Sequence, residues 1–268
     1  MTRQVMTSFG ARLKWWREQR GLSQLALSGA AELSQRHLSF LESGRAEPSR
    51  EMALRLCAVL DIPLRQQNAL MLSAGFAPVW RESDLSDPEL AQVNGALDYM
   101  LGQQEPYPAF VVDRRWNLLR ANGGAVRFVT FLLGAVPAGP VNLADALIAP
   151  EVLRPFIENW EEVAVHFLRS VQADAVADRT TETAELLQRL LAYPDVPPLS
   201  HVAPLETHGP VLSIRFRKGG TRLPVFTTIA TLGTPQDVTL QEIRIECFFP
   251  SDPQSAALFR EWAAREPA

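Results

Sequence analysis

The chain has 268 residues, of which 47% are hydrophobic and 21% charged, with a formal net charge of -4. That apolar content excludes disorder over the whole chain, and the length favours about two domains. With Cys57 and Cys247 as the two cysteines, neither a disulfide framework nor a four-cysteine zinc site can form within one chain; buried, inert thiols in a reducing cytoplasm are expected. The opening MTRQVMTSFG lacks the apolar core of a signal peptide, and no apolar run approaches the roughly 20 residues that span a bilayer. A soluble cytoplasmic protein is expected.

The charge is unevenly spread. Residues 1–80 hold ten Lys/Arg against six Asp/Glu, a balance of +4, which leaves -8 for residues 81–268. This suggests a nucleic-acid-binding head, residues 1–78, on an acidic body that does not touch DNA.

In the head, Phe9, Leu13 and Trp16 recur at helical spacing and Gly21 stands where a C-terminal cap belongs. Ser23 then caps a helix that begins at Gln24 and turns Leu27 and Ala31 inward. Gln24 lies in its first turn, within reach of a phosphate. Ser34 repeats the device, and in the following helix Leu38 and Leu41 face the core while Gln35, Arg36, His37, Ser39 and Phe40 are left outside. Arg and Gln offer paired donors to base edges in a major groove, Ser39 can bond a phosphate, and an exposed aromatic can touch a thymine methyl. The spacing predicts two more helices, one opened by Ser49 and one over residues 63–74, with Ile62, Leu70 and Leu72 as core. The bland alternative is a five-helix bundle whose Arg36, His37 and Phe40 are a solvated face.

Gly21-Leu-Ser-Gln24, Ser34, Leu38-Ser39, Glu42-Ser-Gly44-Arg45 and Pro48-Ser49 together resemble the helix-turn-helix of the Xre/Cro family of phage-type repressors, over about seventy residues. The resemblance implies a lambda-repressor-like all-α domain in which Gln24, Ser39 and Arg45 grip the DNA backbone. It also implies that Gln35, Arg36 and Phe40 read bases and that Arg17 pairs with Glu42 inside the head. Two positions depart from the family: Glu32 replaces the preferred turn Gly and Ser28 the preferred Ala. A non-Gly residue in a left-handed turn costs roughly 1–2 kcal/mol, so a looser turn is expected.

Residues 79–104 read as a linker and connecting helix, with Asp87-Pro88 opening a helix that Gly102 ends. From residue 105, segments 109–113 and 116–121 flank a two-residue Arg114-Arg115 turn and read as a hairpin. A mostly helical insertion follows. One long amphipathic helix carries Phe156, Trp160, Val163, Phe167 and Val171, and a second covers residues 184–193. Three strands then alternate through Leu212, Ile214 and Phe216, through 223–231, and through 240–249. Five strands with inserted helices make an antiparallel α+β domain over residues 105–268.

That order resembles a PAS-like sensor fold. With an Xre-type head, and with the phrases FVVDRRWNLLRAN and TLGTPQDVTLQEIRIECFFP, the chain resembles the MmyB-like regulators. The resemblance implies a DNA-binding regulator whose body encloses a small apolar molecule, such as a fatty acid; a homodimer on a double-stranded operator is expected from economy, since one recognition helix reads only a few base pairs and two read a palindrome. The aromatic and apolar residues Phe110, Val112, Trp116, Phe128, Phe131 and Phe156 are candidate cavity walls, as are Trp160, Phe167, Phe216, Phe226 and Phe248. Arg120, Asn122 and Arg215 are candidates for holding a carboxylate at its mouth.

Enzyme chemistry finds little support. No phosphate-binding glycine loop or nucleophile elbow is present, and Gly219-Gly220 leads from strand to strand. Glu158, Glu162 and His166 share helical spacing and are the best metal candidates, but i,i+4 pairing on a wet helix face explains them far better. His201 and His208 lie in Pro-rich loop sequence. A metal-dependent or acyl-processing enzyme with a DNA-targeting head, and a ligandless scaffold, are the alternatives to a sensing regulator. No cofactor and no membrane partner are expected.

Overall fold

The computed structural model describes residues 8–178, 180–200 and 211–265. His201 and His208 lie outside the described residues. The chain divides into two compact units, residues 1–83 with 234–241, and residues 84–233 with 242–268. The expected linker therefore splits. Residues 79–83 belong with the head, as does a segment from between the last two strands, and residues 84–104 belong with the body.

The first unit holds α1 (Phe9–Gln19), α2 (Gln24–Ala30), α3 (Gln35–Glu42), α4 (Arg50–Val59) and α5 (Leu64–Ser73). Each of the first four opens on a serine that accepts a backbone N–H: Ser8, Ser23, Ser34 and Ser49. Such a cap satisfies one of the donors that a helix start leaves unpaired, a contribution of about 1 kcal/mol each. Leu13, Leu27, Leu38, Leu41, Leu56 and Leu70 meet in a sealed core. Leu72 is exposed instead, because the helix turns it outward between buried Leu70 and Met71 and half-buried Ser73. The α2–α3 turn is well formed despite Glu32: this residue takes φ 56, while Leu33 N–H donates to Ser28 C=O at 2.8 Å.

The head is completed by residues 234–241. Arg81 bridges to Asp237, the Asp237 carboxylate accepts from Ser83 Oγ at 2.7 Å and from Ser83 N–H at 3.1 Å, and Gln241 Oε1 accepts from Leu64 N–H at 2.7 Å. This last bond supplies an acceptor for the first N–H of α5, whose cap position is Pro63 and offers no side-chain acceptor.

In the second unit, a single 3-10 turn at Pro88–Leu90 leads into α6 (Ala91–Gln103), followed by β1 (Ala109–Val112) and β2 (Leu118–Ala121). The insertion contains α7 (Gly123–Leu133), α8 (Leu143–Ile148), α9 (Trp160–Asp178) and α10 (Thr181–Leu191). Then come β3 (Ile214–Lys218), β4 (Thr221–Ala230), β5 (Arg244–Pro250) and α12 (Pro253–Ala264), while α11 (Val238–Glu242), between β4 and β5 in sequence, belongs to the first unit up to Gln241. The five strands form one antiparallel sheet in the order β2-β1-β5-β4-β3, as an antiparallel α+β body requires. Three expectations shift. Trp116 sits in the β1–β2 turn at φ 65 rather than in a strand, because the Asp113 side chain accepts from both Arg115 and Asn117 N–H and tightens a longer turn. Phe156 belongs to a 3-10 turn before α9. Residues 240–242 are helical, since Asp237 caps Thr239 and Leu240.

Candidate functional site

Two sites emerge, one in each unit. In the first, α3 presents Gln35 and Arg36 exposed, with His37, Ser39 and Phe40 half-buried. The Arg36 guanidinium lies 5.3 Å from the Phe40 ring centroid, so the aromatic is covered on one side by the cation. Ser34 accepts from His37 N–H at 3.1 Å and is occupied as the helix cap. His37 Nε2 is buried and has no hydrogen-bond partner. Arg45 is exposed beyond α3, and its backbone N–H donates to Phe40 C=O at 2.8 Å, which fixes the exit loop.

Behind this face, Arg17 Nε and Nη2 donate to the two oxygens of Glu42 at 2.6 and 3.1 Å, and Arg17 Nη1 donates to Leu22 C=O. The bidentate bond to Glu42 raises the Arg17 pKa against the opposing effect of burial. Glu42 also accepts from Gln24 Nε2 at 2.8 Å. Gln24 is thus tied into the head, with one amide N–H left over for a phosphate. The ion pair locks α1 to α3 and sets the angle at which the exposed face is offered.

In the second unit, a cavity of about 140 Å³ lies between the sheet and helices α7, α8 and α9. Of the expected wall residues, Phe110, Trp116, Phe128, Phe167, Phe216 and Phe248 line it. Val112 is fully buried in the surrounding core. Phe131 packs on Trp262 with ring centroids 4.7 Å apart, Phe156 packs against the core's edge, and Phe226 stacks on Phe249 at 5.4 Å. Trp160 is buried, donates to Leu147 C=O at 2.9 Å and is covered by Arg154 at 3.7 Å. These five residues stand outside the lining, because alternation along strands and the helical period send neighbouring aromatics to different faces.

Two of the three polar candidates are committed elsewhere, and the third is on the surface. Arg120 bonds Asp98 at 2.7 Å and Asn94 at 2.6 Å. Asn122 is buried and caps α7 through Ala125 N–H, while holding Ala109 N–H, Leu101 C=O and Tyr107 C=O. Arg215 is exposed on β3. None of the three lines the cavity. Missed from sequence were the aliphatic walls supplied by α7 and α8, among them Val129, Leu133, Leu143 and Leu147, and above all Glu246 of β5. Alternation along β5 carried that signal: Glu246 shares a face with Phe248. Burial pushes the Glu246 carboxyl up to about 7, opposed by a hydrogen bond from Thr227 and by nearby Arg244.

The metal candidates do not assemble. Glu158 precedes α9 and pairs with Arg217 and Arg222 at 3.4 and 3.3 Å, while Glu162 accepts from Asn159 Nδ2 at 3.0 Å. No cluster of three His, Cys, Asp or Glu suited to a metal occurs among the described residues. Burial pushes the Cys57 thiol up to about 12 and raises that of Cys247, which makes Cys57 a poor nucleophile. No helix among the described residues is long and apolar enough to cross a membrane.

Residues 93–261, more than half of the chain, match the model of the MmyB-like transcription regulator ligand binding domain. The chain belongs to the MmyB-like transcription regulators. Residues 13–67 match a helix-turn-helix model, in agreement with the Xre-type head, so this is a DNA-binding transcription regulator. No curated protein matches the chain. A solved structure of an RNA-binding Light-Oxygen-Voltage receptor is 14% identical, aligns over 97% of this regulator and 60% of its own chain, and has a TM-score of 0.29. At that score the likeness carries no structural information.

Proposed function

We propose that this MmyB-like regulator places α3 in the major groove of a double-stranded operator and that its body senses a small apolar molecule held in the cavity. Arg36 and Gln35 would read base edges with Phe40 beside them, while Arg45, Ser39 and the remaining amide N–H of Gln24 would hold phosphates. Two copies acting as a homodimer would read a palindrome at a half-site spacing of about 34–36 Å. The modest positive charge of the head favours such pairing, since each head alone neutralises few phosphates.

The observation that carries the sensing half is the lining: apolar side chains, with Glu246 as the charged residue among them. A cavity of about 140 Å³ is comparable to engineered apolar cavities of about 150 Å³ that take up benzene. The strand pair, helical insertion and three further strands agree with a PAS-like sensor. An apolar occupant, a fatty acid being one candidate, would bias the body between two arrangements; no catalytic step is needed.

Mass spectrometry of small molecules extracted from the purified protein, coupled to anisotropy titrations of a selected operator with and without the recovered molecule, tests this reading. A stoichiometric apolar molecule that changes operator affinity is the expected result. Operator binding that no apolar molecule alters would leave a ligandless scaffold regulator.

A further inference from the structure

Exposure locates the mouth of the cavity. Among its lining residues Ala121, Val126, Val136 and Pro137 are exposed, Val126 at 42% and Val136 at 52%. A residue that lines a cavity and also meets solvent marks a wall one side chain thick, so these residues ring the place where the interior lies closest to water. Ala121 ends β2, which is paired to β1, and Val126 lies within α7. Val136 and Pro137 instead belong to the connection between α7 and α8 and to no helix or strand.

That connection is tied down at its ends and free between them. Gly134 N–H donates to Thr130 C=O at 2.8 Å, and Val141 C=O accepts from Leu118 N–H at 2.8 Å. Asn142 fixes the far end, its Nδ2 donating to Arg115 C=O at 2.7 Å and to Asn117 Oδ1 at 2.9 Å. Residues 135–140 are all exposed, and none of them makes a backbone hydrogen bond to a described residue. Gly134 and Gly139 have φ 87 and 89, in the left-handed region that glycine enters without steric cost. A Cβ on either would meet nothing within 4 Å, so nothing is packed against these two positions. The other irregular part of the lining, residues 152–153, is held by Leu153 N–H donating to Ala146 C=O at 3.0 Å. A segment with solvent-exposed, unbonded backbone opens at a small fraction of the cost of unfolding its domain.

Resting on the reading of this cavity as a ligand site, we infer that residues 135–140 are its gate, a segment that swings on Gly134 and Gly139 and admits a molecule between Val136 and Pro137 on one side and Ala121 and Val126 on the other. The stretch GAVPAGPV, residues 134–141, carries no polar side chain, so an apolar molecule passing beneath it strips no polar group of water. Val136 and Pro137 supply the closing force, since their apolar contact with the cavity wall is lost to water when the segment lifts. Pro137 and Pro140 restrict the shapes open to the lifted chain and keep the entropy cost of closure small. Hinge positions that absorb a change in φ and ψ while the anchors stay bonded are what a lid requires.

The test places a thiol inside the cavity and times its modification in the full-length protein. Ala125 lines the cavity and is 1% exposed, so the thiol of Ala125→Cys meets methyl methanethiosulfonate, a small uncharged reagent, only when the wall opens. Labelling is followed by mass spectrometry of the modified peptide. Adding Pro140→Gly, at a position outside the lining, should speed labelling about fivefold by freeing the chain beside the hinge, with the melting temperature unchanged. Opening of one loop exposes little surface, so the rate should stay flat up to about 1 M urea, whereas access through unfolding climbs steeply with denaturant. Val129→Cys, one turn further along α7 and also in the lining, should respond in the same way and guards against a local defect at residue 125. A rate unmoved by Pro140→Gly at both positions, or one that rises with urea as unfolding does, overturns the gate while leaving the cavity as a ligand site. Benzene at saturation should slow labelling by filling the cavity; loop-sensitive labelling that benzene leaves unchanged would overturn the ligand reading and leave the opening of the segment standing.

Discussion

Glu246 shows at the scale of one residue how an acid in an apolar cavity wall is held at a cost in stability. Folding moves its carboxyl to the edge of an apolar cavity and raises its pKa from 4.5 to about 7, so the folded state holds the proton more tightly than the unfolded chain. Its stabilising share is complete below the unfolded value and is lost as pH rises through about 7. At roughly 1.4 kcal/mol per pKa unit this amounts to ~3 kcal/mol between pH 4 and 8. Glu246→Gln should remove that part of the pH dependence, measured as urea midpoints at pH 5 and pH 8; a slope equal to wild type would exclude the assignment.

On the DNA face, Arg36→Ala is expected to weaken operator binding by ~1–3 kcal/mol and relax selectivity. Arg45→Ala should weaken all sequences alike and flatten the salt dependence. Identical selectivity profiles for the two variants would remove the distinction between base reading and backbone grip.

Between elements, contact distance is governed by where a side chain is missing. A Cβ on Gly124, in the first turn of α7, would lie 2.6 Å from Pro106 C=O and 2.7 Å from Tyr107 C=O. Backbone cannot yield as a flexible side chain does, so Gly124→Ala should push α7 off the segment before β1 and cost ~1–3 kcal/mol. Gly95 in α6 meets nothing within 4 Å, and Gly95→Ala should instead stabilise by ~0.8–1 kcal/mol through helix propensity. Thermal denaturation followed by circular dichroism separates the two. Equal melting shifts of the same sign would contradict the packing account. Gly10 plays the Gly124 part in the head, where an added Cβ would lie 2.3 Å from Leu41 C=O and disturb the helix that offers the DNA face.

Over the whole molecule, the connection between β4 and β5 bears most on the proposed sensing. Residues 234–241 are built into the first unit through Asp237 and Gln241, while β5, which follows directly, carries Glu246 and Phe248 into the cavity wall. A change in β5 therefore has a covalent route to a segment that caps α5. Gln241→Ala and Asp237→Ala are expected to leave operator affinity without ligand within about threefold of wild type, while shrinking the change in affinity that a cavity ligand produces. Anisotropy titrations with and without ligand measure this, and an undiminished ligand effect in both variants would rule out the route.

The head was legible residue by residue, because capping and helical periodicity are local. Ser23, Ser34 and Ser49 announce their helices within three residues, Glu32 was expected in a left-handed turn and takes φ 56, and Arg17 meets Glu42 as the family resemblance implied. The body was legible as five strands and inserted helices, but not as a site. An aromatic in a strand or helix reveals that it is buried without revealing which of two faces buries it, which is why Phe226 and Phe131 lie outside the cavity and Phe110 and Phe128 inside. Arg120 and Asn122 looked equally suited to hold a carboxylate; only the tertiary structure assigned them to Asp98 and to the start of α7. It also decided that the charged group lining the cavity is an acid, since the register of β5 against β1 and β4 places Glu246 there. Local chemistry in the sequence determined the helix-turn-helix head; the pairing of distant strands determined which side chains line the cavity.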